Sequence, residues 1–386
     1  MSEVRGTFDA RFEPVAAAFA ETVTEPEAGG AALSVWHDGV EVVNVWRGTA
    51  DARSGRAWDE RTMAVLFSST KGLAALVVAC LAERGRIDLE APVARYWPEF
   101  GAHGKDTLTV GDLLAHRAGL IAPDVDLELD EVLDSHWFAA LLAAQKPRWT
   151  PGETHMYHAI TWGPLVREVV VRATGRELPE LFQELISGPP VDVTLRATDA
   201  EIARVARLSP SPAYEAQSRM LAEMLTDEAG RRFLTTGGAF PMGFITEDGG
   251  FNDPRVQKAG LVSGGGLGTA SALARTWSSA VTPTRGRRVL SEHGAALLTR
   301  ERSSGPGLMD AGSPGPFHRW GAGVQLSSEA LGWLSDASFG HDGAGGQAGF
   351  ADPGYRVGFG YLTNRMQAAS NVPQIVSALK AVLDAA

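Results

Sequence analysis

Hydrophobic and polar positions change their period several times along this chain, and the changes outline its elements. Near the start, FDARFEPVAAAFAETV carries apolar residues at helical spacing and predicts a first helix. Residues Gly30 to Asp51 then alternate on either side of His37-Asp38-Gly39, the signature of a β-hairpin. From Ser68 to about Ala280 helical patterns dominate, broken by Gly and Pro; Thr109-VGDLLAHRAGL, His136-WFAALLAAQ, Trp162-GPLVREVVVRATG and Ala270-SALARTWSSAV are the clearest. A period of two returns in Arg319-WGAGVQL and in Gln347-AGFADPGYRVGFGYLTN, which turns at Asp352-Pro353-Gly354. The helical run Pro373-QIVSALKAVLDAA closes the chain.

Strands at both ends with helices between them predict an α+β fold. Its economical form is one antiparallel sheet built from the N- and C-terminal segments, flanked by the terminal helices, with a helical subdomain inserted. On this reading residues 1–85 and 255–386 form the sheet domain and 86–254 the helical part, with a site in the crevice between them. The stretch 187–240 holds Gly188-Pro189-Pro190, Ser209-Pro210-Ser211-Pro212 and a helical pattern at Glu215-AQSRMLAEML. It reads either as an insertion covering the substrate or as a plain spacer.

Composition narrows the function. The 386 residues are 44% hydrophobic and 21% charged, ordinary for a globular protein. The net charge of −11, from 35 basic and 46 acidic residues, argues against DNA, RNA or an anionic membrane surface as a partner. Cys80 is the single cysteine, so no intramolecular disulfide or thiolate metal cluster can form; within LVVACLAE it reads as a small core residue. The N-terminal segment lacks the basic start and apolar run of an export signal, and no run reaches the ~20 apolar residues of a membrane span. A cytoplasmic location is expected.

Candidate chemistry lies in three places. Ser68 and Lys71 in FSSTKG put a hydroxyl and an amine one helical turn apart, where an apolar segment passes into a long helix. That geometry suits a serine nucleophile with a lysine partner, and equally a helix-capping serine with a surface lysine. Ser377 and Lys380 repeat the spacing in the last helix, where both can face water. Tyr157, in Trp149-TPGETHMYHAITWG, could shuttle protons if a cationic lysine lowered its pKa, or could be a core tyrosine. His155 and His158 flank it without a third ligand, so no metal is expected. Phe339-GHDGAGGQAGF allows close backbone approach to a ligand, or simply bends a strand end. No Gly-x-Ser-x-Gly elbow occurs.

Taken together, Phe67-SSTKG, Leu108-TVGDLLAHRAGL, Pro151-GETHMYHAITWG, Gly264-GGLGTASALAR and Gly340-HDGAGG, with the early hairpin and the closing strands and helix, resemble the serine β-lactamase and penicillin-binding-protein superfamily. The likeness is greatest to the class C β-lactamase-like carboxylesterases called family VIII. It implies a β-lactamase/transpeptidase-like fold and a cofactor-free serine hydrolase acting on a small-molecule ester. Ser68 is then the acylated nucleophile, Lys71 its activator and Tyr157 the residue exchanging protons with serine and leaving group. The amides of Ser68 and Ala344 become the oxyanion hole, and Asp112 and His116 are structural. His341, Gly343, His158 and Trp162 are expected to contact substrate.

Two departures bear on the substrate. Tyr157-His158-Ala159 stands where penicillin-recognising relatives carry Tyr-x-Asn or Ser-x-Asn, and His341-Asp342-Gly343 where they carry Lys-Thr-Gly. Both losses favour esters over β-lactams. A β-lactamase or D-peptidase, an acyltransferase or amide-forming enzyme, and an inactive binding module are the alternatives.

Overall fold

The computed structural model describes residues 3–188, 192–310 and 312–385. Its centre is an antiparallel sheet made of β1 (Arg5–Phe8), β2 (Gly30–His37), β3 (Val40–Asp51), β4 (Arg56–Ala57), β5 (Arg319–Trp320), β6 (Gln325–Leu326), β7 (Phe339–Gly343), β8 (Gln347–Asp352) and β9 (Val357–Thr363). The strand order is β1-β3-β2-β9-β8-β7-β6-β5, with β4 against β3. β2 pairs with β9, Ser34 opposite Gly360, so the first and last parts of the chain meet at mid-sheet as the pattern predicts. The hairpin turns at Asp38 and Gly39, both at positive φ (52° and 76°), the form a two-residue loop requires.

Both faces of the sheet are covered, and the alternation along each strand says by what. Ala31, Leu33 and Val35 of β2, with Val357, Phe359 and Tyr361 of β9, face one way, onto α1 (Glu13–Ala20) and the terminal helix. Ala32 and Leu362 face the other way, into a larger core. There α2 (Ser69–Glu83) and the helix Ala270–Val281 lie against the sheet. The larger core runs unbroken from Ala32 through the helical segment to Met366, so the inserted helices and the sheet share one interior.

The inserted segment carries α3 (Trp162–Thr174), ended by Gly175 in the left-handed conformation, and shorter helices. Two small sheets tie it to the rest of the chain: Val193–Thr194 joins Ala64–Val65 in pairing with Leu267–Gly268, and Ser209–Pro210 runs parallel to Arg365–Met366. Within 187–240, Pro189 and Pro190 lie outside the described residues, and helices occupy Pro212–Met224 and Glu228–Thr235. Cys80 is buried, and its thiol is pushed up to about 11 by that burial, with Glu83 adding to the effect. Among the described residues no helix is long and apolar enough to cross a membrane.

Candidate active site

Ser68 is held at the mouth of α2 by a strained approach. Leu66 donates its N–H to the Gly266 carbonyl (2.8 Å), and Phe67 turns the chain at φ 43°, uncommon for a bulky residue. Ser68 itself is already helical (φ −66°, ψ −13°) and its side chain caps no N–H. An N-cap serine needs extended dihedrals and a hydroxyl turned onto the helix. The capping alternative therefore fails, and the Ser68 hydroxyl lies instead 3.1 Å from Lys71 Nζ.

Lys71 is fully buried. Besides Ser68 its nitrogen meets two carbonyl oxygens, Ala159 at 2.7 Å and Ser263 at 2.8 Å. Carbonyls only accept, so in a neutral amine they take both N–H groups and the lone pair is left for the Ser68 hydroxyl. Burial pushes the Lys71 ammonium well below its ordinary range, with the Asp342 charge opposing, and so favours that neutral form. The cage is tied together by Ser263. Its hydroxyl accepts from Gly163 N–H (2.8 Å) and donates to the Ile160 carbonyl, joining the loop before α3 to the loop before Leu267–Gly268.

The same loop that supplies Ala159 delivers Tyr157. Its ring stacks on Trp320 (centroids 5.4 Å apart, 23° between planes), with Lys71 Nζ 4.8 Å from its centre. The phenol oxygen is buried without a hydrogen-bond partner, which a satisfied core tyrosine would not be. Burial raises the phenol's pKa, although the nearby Ser68 hydroxyl favours ionisation. The expected lowering by a cationic lysine is thus reversed. Desolvation disfavours charge on both groups and so favours a neutral amine beside a neutral phenol.

The third segment lies along β7. Ser69 Oγ donates to the His341 carbonyl (2.9 Å), fastening α2 to the strand. At Gly343 a β-carbon would stand 2.5 Å from the Leu66 carbonyl, so only glycine lets the strand pass this close and bring Ala344 to the cavity beside Ser68. Asp342, Gly343 and Ala344 line that cavity; His341 does not. Alternation along the strand turns the imidazole inward, fully buried, where Nδ1–H donates to the Asp342 carbonyl (2.7 Å). Burial holds its pKa below the usual value, although Asp342 favours the charged form, so the imidazole is a poor stand-in for a lysine's fixed charge.

Two further expected contacts fall elsewhere. Trp162 is fully buried and donates its indole N–H to the Leu114 carbonyl (3.1 Å), a core role under α3. His158 is also buried: Nε2 accepts from Leu120 N–H (3.0 Å) and Nδ1–H donates to the Met156 carbonyl (2.7 Å), leaving neither nitrogen for substrate or metal. Asp112 pairs with Arg117 (3.0 Å), and His116 packs against Tyr157 and Trp320.

Ser68, Tyr157 and the β7 segment open on one cavity of about 390 Å³. Phe67, Phe244, Phe251, Ile160 and Trp320 give it an apolar wall. Phe244 and Phe251 follow the 187–240 stretch that read either as a substrate cover or as a spacer, while Phe240 backs Phe251 at 5.4 Å. Sequence reasoning missed Ser263, although the glycine run at 264–266 adjoins it. It also missed the inward turn that exchanges His341 for Asp342 at the surface, which the β period could have suggested.

Comparison with known proteins gives the family and the fold. The chain is 34% identical over 376 residues to the esterase/beta-lactamase LipL of Mycobacterium tuberculosis, covering 94% of this chain and 83% of that one. Its fold matches the crystal structure of a family VIII carboxylesterase with a TM-score of 0.84 and 32% identity, over 98% of this chain and 100% of the other. EstA from Arthrobacter nitroguajacolicus matches with a TM-score of 0.82 and 30% identity, over 100% and 99%. The family model described as Beta-lactamase spans residues 15–382, and the chain belongs to that family.

Proposed function

We propose that this protein is a serine carboxylesterase that hydrolyses small to medium esters through an acyl-Ser68 intermediate. The observation that carries the reading is the Lys71 cage: two carbonyls fix the amine so that its lone pair meets the Ser68 hydroxyl. Lys71 takes the serine proton as Oγ bonds to the ester carbonyl carbon, and the oxyanion rests on the Ser68 and Ala344 amides. Tyr157, kept neutral by burial, gives its proton to the departing alkoxide and regains one from the Lys71 ammonium. Water then attacks the acyl carbon, its proton passing through Tyr157 and Lys71 back to Ser68 Oγ. The apolar wall and the esterase names of the relatives support an ester substrate.

Intact-mass analysis after incubation with p-nitrophenyl butyrate should find one butyryl group, on Ser68. An adduct on Ser377, or none, would refute the reading. The LipL relative is named both esterase and beta-lactamase. Turnover of nitrocefin faster than that of p-nitrophenyl butyrate would replace this reading with a β-lactamase.

A further inference from the structure

We infer that Asp342 is a charge filter at the mouth of the site, admitting neutral and cationic esters and turning away substrates that carry a carboxylate near the scissile bond. The inference rests on the esterase reading and names the substrate class within it.

The argument is one of placement. Asp342 lines the same cavity as Ser68, two residues ahead of the Ala344 amide, and its side chain is 44% exposed. It is also fixed. Gln325 on β6 donates Nε2–H to its Oδ1 (2.9 Å) and accepts its backbone N–H (2.8 Å), so the carboxylate keeps one position over the cavity. Burial opposes ionisation there, but His341, Gln325 and His318 outweigh it and hold the carboxyl below its ordinary value.

No permanently charged cation in the lining balances the charge. Among the described lining residues there is no Lys or Arg; the other polar side chains are Ser68, Tyr157, Ser263, His318 and Gln325. Lys71 is closed off by its carbonyl cage. A fixed negative charge facing an apolar-walled cavity repels an anion at short range, where solvent screens it poorly. β-Lactams with a ring carboxylate belong to the excluded class.

Phenyl butyrate, 4-carboxyphenyl butyrate and 4-(trimethylammonio)phenyl butyrate form a test set. Comparing enzymes on each ester cancels the difference in intrinsic reactivity. The expected result at low salt is that Asp342→Asn, which keeps the Gln325 hydrogen bond, raises kcat/KM for the carboxylate relative to the ammonium ester by at least ~10-fold. Asp342→Glu should retain the wild-type preference. In the wild type itself the bias against the anion should shrink between about 0.02 M and about 0.5 M salt, a readout that needs no variant. A ratio that stays within ~3-fold in Asp342→Asn overturns the charge filter alone if wild-type phenyl butyrate turnover is present. Absence of that turnover overturns the esterase reading and the filter with it.

Discussion

Ser68 with Lys71 and Ser377 with Lys380 share one spacing on two helices, and their surroundings push the two amines in opposite directions. Lys71 is sealed under a core helix between two carbonyls, and desolvation drives its pKa far down. Lys380 is exposed on the last helix, bound to Asp384 at 2.5 Å and to the Tyr355 hydroxyl at 3.0 Å, and those partners raise its pKa. The first is disposed to accept a proton and the second to keep one. The serines differ likewise: Ser68 opens on a cavity, while Ser377 faces solvent. A reactive pair is made by what desolvates the amine and occupies its N–H groups, and spacing supplies neither.

The largest effect should come from removing the first pair. Ser68→Ala is expected to lower kcat/KM for p-nitrophenyl butyrate by ~10³-fold, and Ser377→Ala to leave it within ~2-fold. A comparable loss in Ser377→Ala would dissolve the contrast. Tyr157→Phe should cost at least ~100-fold if the phenol is, as proposed, the proton donor to the alkoxide; near-normal turnover in that variant would remove tyrosine from the mechanism.

Gly163→Ala probes the cage by displacing Ser263 while leaving the chemistry of its members unchanged. A β-carbon there would collide with Ser263 Oγ, so Lys71 should lose its fixed partner carbonyl. Activity is expected to fall ~10-fold and stability by about 1–3 kcal/mol in urea titration; unchanged values for both would show that Ser263 does not hold the amine.

The pH profile sharpens the comparison further. Below its lowered pKa, Lys71 carries three protons and has no lone pair for Ser68, so kcat/KM should fall as pH falls through that value. This limb should lie well below the ordinary 10.5 of lysine. Asp342 favours the Lys71 cation, so Asp342→Asn should move the limb to lower pH, and an upward shift would contradict the assignment of Lys71 as base. Smallest of all, Lys380→Ala should leave activity within ~2-fold and the melting temperature within ~2 °C, since exposed ion pairs contribute little.

Much of this was readable from the chain. The hairpin at His37-Asp38-Gly39 and the terminal helix carry unambiguous periods, and the order of Ser68, Lys71, Tyr157 and the β7 segment survives intact. What misled was residue type taken without orientation. Trp162 looked like pocket lining because indoles often are, yet it starts α3 facing the core. His341 looked like the recognising side chain because it aligns with a lysine, yet the strand turns it inward and turns Asp342 out. Ser263 is a serine among glycines until its carbonyl is seen against Lys71.

By itself, the sequence determined the antiparallel sheet joined from both ends and singled out Ser68, Lys71 and Tyr157 as candidate nucleophile, amine and phenol, because local periodicity and motif order are properties of neighbouring residues. Only the tertiary structure decided how the two Ser-x-x-Lys amines differ in burial and partners, that burial disfavours a Tyr157 phenolate, and that a carboxylate faces the cavity. Those outcomes depend on desolvation and on carbonyls and side chains brought in from distant segments, Ala159, Ser263 and Gln325 among them, and no local pattern encodes such meetings.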